Sequence, residues 1–585
     1  MRFNQRFVAV SLFFFAPAVL EGSPPIRAVI LSGDAAPGVR SQTFGDHASF
    51  TPVINAAGRV AFAAFTTGPE GNSSGVWAEK NGGLEVVALE GMAAPGGGVF
   101  DSFMALPVWL SDNGVVGFAH RTSGVLGIWA IGEDGLAVLA KTGDNSPNTD
   151  GTYSGLNGEP YVTFNKEGRA AFMASVRTSA GQNFVGLFNG AMGGVGMAAR
   201  TQSGGFTSFG APKYNTSDVF SVLASVADGS QSTGFYTGEN NSLTAVASWN
   251  LFSGTHPEGF PEGVTYAIGE TPSGINDANA SVFAARLRGP GIDDSNDWGL
   301  WLFDDARLQR FAYEGMQVED LPAGVQIADP ALGVARFAAI SDSGHIAFYC
   351  PMQSTDAAFD GVNGLFVRTP DGRLRTVARV NGSAPEGFAP GAVITSFGGS
   401  LVTPAMNTRG QVVFILNVTE PGQSPVEVVC ATDSQAKLRV LWIVGRDNLQ
   451  IRPGVTATLG GLAEDRVYPL QGGGSDGRRR SFNASGQFVF PASYRIVDSL
   501  ESGSGVFVVT IPESCSTADV AGFGGGAGGD GRVTIDDAIF FISAYFAGNL
   551  AVADVASLGG TVRPDGQLSP DDLLTFFDAF FAGCP

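Results

Sequence analysis

Apolar and polar residues alternate with the two-residue period of β-strands along most of this chain, in short runs broken by Gly, Asn and Asp. The stretch Thr51 to Phe65, TPVINAAGRVAFAAF, is the unit: strand, four-residue turn, strand. Asn55 opens the turn, where its side chain can accept from the backbone ahead, and Gly58 closes it where positive φ is needed. That is the pattern of a type I turn with a following bulge. The same core, Asn or Ser, Gly three residues on and Phe seven on, starts at Asn55, Ser111, Asn165, Ser341, Asn407 and Asn483. Altered copies at Asn215 and Asn276 replace the Gly by Asp218 and Asn279, the types that best tolerate left-handed backbone after Gly. Eight starts at 50- to 76-residue spacing predict the blades of a β-propeller.

Each repeat predicts four strands, the first being Phe50 to Ile54, Arg59 to Phe65, Gly75 to Glu79 and Leu84 to Glu90. The third strand carries Gly, an apolar residue and an aromatic at Gly75, Gly127, Gly186, Gly234, Gly299, Gly364 and Gly505; the seventh repeat has Val426 to Cys430 instead. The eighth repeat stops after Val506 to Ile511 without a fourth strand. Ile26 to Gly38, IRAVILSGDAAPG, matches the fourth strand and turn of the first repeat, LEVVALEGMAAPG. The expected fold is therefore all-β, an eight-bladed β-propeller over 26–511 closed by the N-terminal strand, which leaves no sheet edge open.

Antiparallel strand direction sorts the loops. Tight turns such as NAAG at Asn55 and PDG at Pro370 fall on one face. Long connections fall on the other: Arg288 to Trp298, Cys350 to Asn363, Asn417 to Pro425, Trp249 to Val264 and Asp447 to Arg480. Loops held on a rigid scaffold are where binding concentrates, so the variable face supplies the candidate ligand residues. They are His120, His256, Asp293, Asp294, Asp297, Asp356 and Asp360. The carboxylates could hold calcium or serve as an acid and base pair, but no ligand spacing rule is met, and a solvated polar loop is the favoured account of them. Trp77, Trp129 and Trp301 share one third-strand position and read as core between blades. No nucleophile elbow, zinc cluster, phosphate loop or dinucleotide fingerprint occurs in a fitting context, so no catalytic residue is assigned.

Composition narrows the setting. Gly is abundant at 82 residues, as turn-rich all-β chains require. The net charge of −21 argues against a nucleic-acid partner, whose phosphates call for Lys and Arg. Arg2 and Arg6 precede an apolar run from Phe7 to Leu20, too short to span a bilayer, with Ala16 and Ala18 at signal-peptidase spacing. Residues 1–22 are read as a signal peptide, and no later stretch predicts a transmembrane segment. Export permits disulfides. Cys350 and Cys430 fall within strands and read as buried thiols, whereas Cys515 and Cys584 bracket the C-terminal segment and can close it.

From residue 512 to 585 the chain changes character and duplicates itself: ADVAGFGGGAGGDGRVTIDDAIFFISAYFAG is followed, 35 residues on, by ADVASLGGTVRPDGQLSPDDLLTFFDAFFAGC. Counted as EF-hand loops, Asp530 and Gly531 take positions five and six, Thr534 nine and Asp537 twelve. Asp565, Gly566, Ser569 and Asp572 repeat them. Positions one and three lack carboxylates, and Asp519 and Asp554 can fold back across the insertion to replace them. These oxygen ligands suit Ca²⁺. Asp536 and Asp571 either join the set or cap the helices that follow.

Residues 515–585 resemble the dockerin modules, in the variant of secreted bacterial proteins that ends in Gly-Cys, here Gly583 and Cys584. The repeats resemble the family of anchored bacterial proteins with tandem NxxGxxAF repeats, carried by Asn55, Gly58, Ala61 and Phe62. Together the resemblances imply an exported protein, extracellular, at the cell surface or periplasmic, whose tail docks or sorts it to a partner the sequence does not name. The expected function is non-catalytic binding of an extracellular carbohydrate or protein. The alternative is a polysaccharide hydrolase or lyase with its site on the variable face. The aromatics Phe540, Phe541, Tyr545, Phe546, Phe576, Phe577, Phe580 and Phe581 either form the docking surface or pack one helix on its copy.

Overall fold

A computed structural model describes residues 26–582 except 46–51, 70, 104–106, 159, 204, 228–231, 240–241, 251–253, 270–272, 330–337, 386, 399–403, 435, 463–476, 500, 513–516, 522–532, 558–559 and 561–565. The expected signal peptide, Cys515, Cys584, Asp530 and Asp565 lie outside the described residues. The described residues divide into two compact units, 26–512 and 517–582.

The first unit is an eight-bladed β-propeller. Blade 1 orders its strands Thr43–Phe44, Val60–Thr67, Ser73–Lys80, Gly83–Leu89, and Val53–Ile54 also pairs the second strand. The innermost strand is thus split, Ile54 facing Val60 at one end and Phe44 facing Thr66 at the other. The incoming crossover covers an edge that the short inner strand leaves unpaired. Blades 2 to 7 follow at 108–141, 151–200, 206–249, 265–313, 326–379 and 393–443. The last sheet is ordered Ile26–Leu31, Ser502–Thr510, Gln487–Ile496, Val455–Leu462, Asn448–Arg452, with Ile26 opposite Val509 and Leu31 opposite Gly505. Part of the stretch expected as an irregular loop from Asp447 to Arg480 is therefore a hairpin. Pro453 and Gly454 turn it, and alternation buries Leu449, Ile451, Ala457 and Leu459 on one side.

Eight apolar layers lie between consecutive sheets, the eighth between the last sheet and the first. The repeat's Ala-Phe pair explains their makeup, because neighbours along a strand face opposite sides. Phe62 and Trp77 point at the preceding blade, while Ala61, Ala63, Val76 and Ala78 point at the following one, against Phe118 and Trp129. Large side chains on one wall thus meet small ones on the other, the complementarity that close packing demands. The Gly of the third strand serves the same packing. At Gly127, Gly186, Gly364 and Gly505 an added Cβ would run into the aromatic ring two residues on, which lies back over the glycine. The seventh repeat, with Val428 in place of Gly, carries the smaller Cys430 in place of the aromatic, and Cys350 and Cys430 are both free and buried.

The Asn-to-Gly turns do more than reverse the chain. All eight fourth positions have positive φ, from Gly58 at 75° to Asp218 at 61° and Asn279 at 67°. The first residue of every turn is buried. Its side-chain oxygen accepts the N–H four residues on, as Asn276 does from Ala280 (2.9 Å) and Ser341 from His345 (2.9 Å). The Asn amide then donates to the next blade: Asn55 to Ser111 O (3.1 Å), Asn165 to Asn215 O (2.9 Å), Asn215 to Asn276 O (2.8 Å) and Asn276 to Ser341 O (3.1 Å). Asn407 donates to Asn483 O (3.0 Å), and Asn483 to Asn55 O (2.9 Å). Ser111 and Ser341 have no amide, and at those joints backbone bonds substitute, Asp112 N to Lys166 O (2.7 Å) and Ser343 N to Thr408 O (3.1 Å). The bonds form one closed belt.

Inside the belt the ring is filled. Gly477 O accepts from Trp109 Nε1 and Phe164 N, both at 3.1 Å, and Arg480 O from Ile54 N at 2.8 Å, so residues 477–480 bond to the inner strands of blades 1, 2 and 3. Arg480 pairs with Asp112 at 2.7 Å, and Lys166 reaches across to Asp277 and Asp342.

Asn276→Ala leaves the buried Ala280 N without its acceptor, at roughly 1–3 kcal/mol, and removes one of two donors to Ser341 O, which keeps Gly344 N at 3.0 Å, so we expect a loss of about 2–3 kcal/mol. Asn276→Ser retains the Ala280 bond, as Ser341 retains its own, and should lose about half as much. Melting midpoints of the two variants check this, and equal losses would show that the amide contributes nothing to joining the blades.

Candidate functional site

The tight turns and the belt occupy one face of the ring, and the long connections the other. The expected ligand residues do lie on the long-loop side, and His120, His256, Asp293, Asp356 and Asp360 are committed to local bonds. His120 is buried at the end of Val116–Thr122, stacked on Phe103 (centroids 4.1 Å apart), with Nε2 2.9 Å from Asp101 O. Burial holds its imidazole below the usual value. His256, exposed in the crossover to blade 5, places Nδ1 2.8 Å from Val264 O. Asp293 accepts from Ser295 N (2.9 Å) and Oγ (2.6 Å), bonds that lower its pKa; Asp294 beside it is exposed. Asp356 accepts from Ala358 N (2.9 Å) and Asp360 from Ser354 N (3.2 Å), each shaping its own turn.

Only Asp297 enters a larger constellation, one that sequence reading missed. Arg286 bridges Asp297 (2.5 Å) and Asp329 (2.6 Å) across the joint of blades 5 and 6. Glu314, at the end of blade 5's outer strand, is 6% exposed, and its Oε2 has no hydrogen-bond partner. Burial, then repulsion from Asp329 and Asp297, push its pKa up to about 7 against the pull of Arg286 and the Trp298 backbone. Cys350 is buried nearby with Sγ 3.4 Å from Ala328 O, and burial followed by repulsion from Asp329 and Glu314 raises its thiol. The reason for the orphaned oxygen is visible in the repeats. Glu90 holds the equivalent position in blade 1, and its Oε2 accepts from Ser74 Oγ at 2.9 Å. Blade 5 has Trp298 where blade 1 has Ser74. The signal was thus a Glu repeated at one strand end with its hydroxyl partner lost.

The second unit holds helices α1 (Ile535–Phe546), α2 (Leu550–Ala553) and α3 (Pro570–Ala582). The sequence duplication is a duplication of bonds. Asp537 Oδ1 accepts from Val520 N (2.8 Å) and Ala521 N (2.7 Å), and its Oδ2 from Thr534 N (2.7 Å) and Oγ1 (3.1 Å). Asp572 does the same with Val555, Ala556 and Ser569. Burial raises the Asp572 carboxyl, but the bonds from Ala556, Ser569 and Val555 outweigh it and leave the pKa lowered. All four acceptor directions of each carboxylate are taken. Asp554 Oδ2 accepts from Gly566 N at 2.6 Å, folding back over the Asp-Gly turn, and Asp519 is buried in the first copy. Asp536 and Asp571 lie in the first turns of α1 and α3. Among the described residues no three His, Cys, Asp or Glu side chains are grouped to hold a metal ion, and no helix is long and apolar enough to cross a membrane.

Phe541 stacks on its copy Phe576 (3.8 Å, 11°), while Ile539 and Leu574, and Phe546 and Phe581, stand exposed at equivalent positions, the last two at 81%. The expected packing of one helix on its copy is thus made by Phe541 and Phe576, while Phe546 and Phe581 are left exposed.

The model of the "Family of unknown function (DUF7453)" matches residues 17–126 and 54–518. No curated protein matches the sequence. Among solved structures, a puromycin-hydrolyzing peptidase from Mycobacterium tuberculosis is similar with 12% identity and a TM-score of 0.34, covering 82% of this chain and 62% of that one. Prolyl oligopeptidase B from Galerina marginata has 9% identity and a TM-score of 0.36, covering 82% and 56%. This chain thus spans less than two thirds of either peptidase. The WD40 domain of SCAP from fission yeast has 11% identity and a TM-score of 0.31, covering 83% and 98%.

Glu314 makes a pH prediction. Its folded pKa lies above the unfolded value of 4.5, so the stability it contributes is full below 4.5 and is lost as pH rises towards 7. Melting points of the natural chain should fall relative to Glu314→Gln over that window and run parallel above it. Curves parallel throughout would show that Glu314 is not held neutral.

Proposed function

The chain belongs to that family of unknown function, and from this premise and the geometry of its two faces we propose that it is an exported, non-catalytic binding or surface protein. The supporting observation is asymmetry: the belt face is spent on joining blades, while the opposite face carries long connections of differing sequence on a filled, rigid ring. In this reading residues 1–22 direct export, and the strand Ile26–Leu31 acts as the clasp that closes the propeller. Arg27 is held by Glu79 (2.7 Å) in blade 1 and Asp34 by Arg452 (3.0 Å) in blade 8. The tail is a dockerin-like docking or sorting module, stapled by Cys515 and Cys584, with Ile539, Phe546, Leu574 and Phe581 as its contact surface.

Calcium in the tail follows from the chemistry of the donors. With Asp537 and Asp572 filled by N–H and O–H bonds, Asp519 and Asp554, together with Asp530 and Asp565, would hold the ion over the Asp-Gly turns, and Asp536 and Asp571 at the helix starts would add negative charge. Bound there, Ca²⁺ would fix the turns that lead into α1 and α3.

Binding is tested by passing the full chain over immobilised extracellular carbohydrates and proteins while assaying the same carbohydrates for cleavage. Retention without turnover is the expected result. The alternative, a polysaccharide hydrolase or lyase, draws on the protonatable Glu314; turnover abolished by Glu314→Gln or by Asp293→Asn would replace the binding reading. Deleting residues 26–31 should release the edge of Ser502–Thr510 and lower the propeller's melting point by several degrees or more. An unchanged melt would remove the clasp. Calorimetry of the full chain should show the tail's transition rising with calcium and falling with chelator. Asp554→Asn should weaken that response and Asp519→Asn together with Asp554→Asn abolish it, whereas Asp572→Asn should destabilise the tail with or without the ion. A transition indifferent to calcium would dismiss the metal.

A further inference from the structure

Blades 3 and 4 are joined by a crossover unlike those before it. After the outer strands of blades 8, 1 and 2 the chain makes a Pro-containing turn, ending at Gly38, Gly96 and Asn148, each with positive φ. These turns lie over the outer strand of the following blade. Gly38 sits against Val86 and Gly96 against Val138, and Trp77 Nε1 donates to Pro37 O at 3.0 Å. Between the outer strand of blade 3, Gly194–Arg200, and the first piece of blade 4, Phe206–Phe209, there are only residues 201–205, with no proline and no such turn. The joint is left open as a cleft of about 840 Å³.

Six side chains give the cleft its character. Asn148, Met197, Phe206, Tyr236, Leu243 and Arg200 line it, with Tyr236 edge-on to Phe206 (5.3 Å, 73°). Arg200 stands exposed at the rim with its guanidinium 5.3 Å from the centre of the Phe184 ring, and it makes no ion pair among the described residues. In a chain of net charge −21, a guanidinium held by a ring at the mouth of a cleft is a local exception to the field around it. A guanidinium recognises a carboxylate through paired N–H donors, and an aromatic wall recognises the apolar face of a sugar ring.

We propose that the cleft between blades 3 and 4 binds an acidic oligosaccharide, with a uronate carboxylate on Arg200 and a sugar face against Phe206. The inference rests on the binding reading above and gives that reading a ligand class and a place. Asn148 supplies an amide to the sugar hydroxyls.

Titration calorimetry of the full chain at low salt with a uronic-acid tetramer, a neutral glucose tetramer and an oligoglutamate peptide of equal charge tests it. The uronate should bind, more weakly as salt rises, and the other two should not. Arg200→Gln should weaken uronate binding by about 10-fold or more, Arg200→Lys by less, and Arg409→Gln on the belt face not at all. Uronate binding unchanged in Arg200→Gln would sink this site while leaving the binding function in place. No uronate binding by the natural chain, or equal binding of the neutral sugar or the peptide, would overturn the ligand class.

Discussion

A carboxamide placed where a chain reverses direction holds this propeller together. Each Asn at the head of a turn satisfies two demands with one side chain: its oxygen ties down its own turn, and its nitrogen reaches the main chain of the next blade. All the groups involved are buried away from water, where a missing partner is costly and a made bond is strengthened by low dielectric. Asp has no donor for the second bond, and Ala has neither group. Ser keeps the first bond and forfeits the second, and at Ser111 and Ser341 the backbone itself makes the joint. The requirement thus explains both the recurrence of Asn and the form its exceptions take.

The wedge geometry of the blades follows from the same repeat. Since side chains alternate across a sheet, the Ala-Phe pair gives a blade one thin and one thick wall, and at the joints of blades 1 and 2 and of blades 2 and 3 the thick wall meets the thin wall of its predecessor. At Gly127, Gly186, Gly364 and Gly505 the third-strand aromatic is buried by lying back over the glycine. Where Val428 closes that space, the ring gives way to a thiol that packs as a small apolar group. A ring with such tightly interlocked walls, a belt at one mouth and residues 477–480 along its axis leaves the long loops as the part free to vary.

Polar side chains on that variable face show how easily composition misleads about chemistry. Asp293, Asp356 and Asp360 belong to sequences that look like ligand sets, yet one oxygen of each is occupied by an N–H of its own turn. Glu314 looks ordinary in sequence and is the carboxyl with the strongest perturbation, because a Trp on the neighbouring strand displaced the hydroxyl that a sister blade provides. In the tail the acids at the twelfth loop position serve the backbone, and in the second copy Asp554 accepts from Gly566 of the turn.

Period, turn chemistry and repetition are local properties, and they determined the blade number, the turn geometry down to the left-handed Asp218 and Asn279, the walls facing each neighbour, and the twofold duplication of the tail. These survive in one dimension because each rests on residues a few positions apart. What the assembled ring alone decided includes contacts 50 to several hundred positions apart, the amide donated from one turn to the next and the bonds of residues 477–480 to three inner strands, and with them the splitting of the inner strand, the orphaned oxygen of Glu314 and the cleft left by a short crossover. A side chain's partner across a blade boundary depends on how two independently folded sheets meet, and no spacing along the chain encodes that.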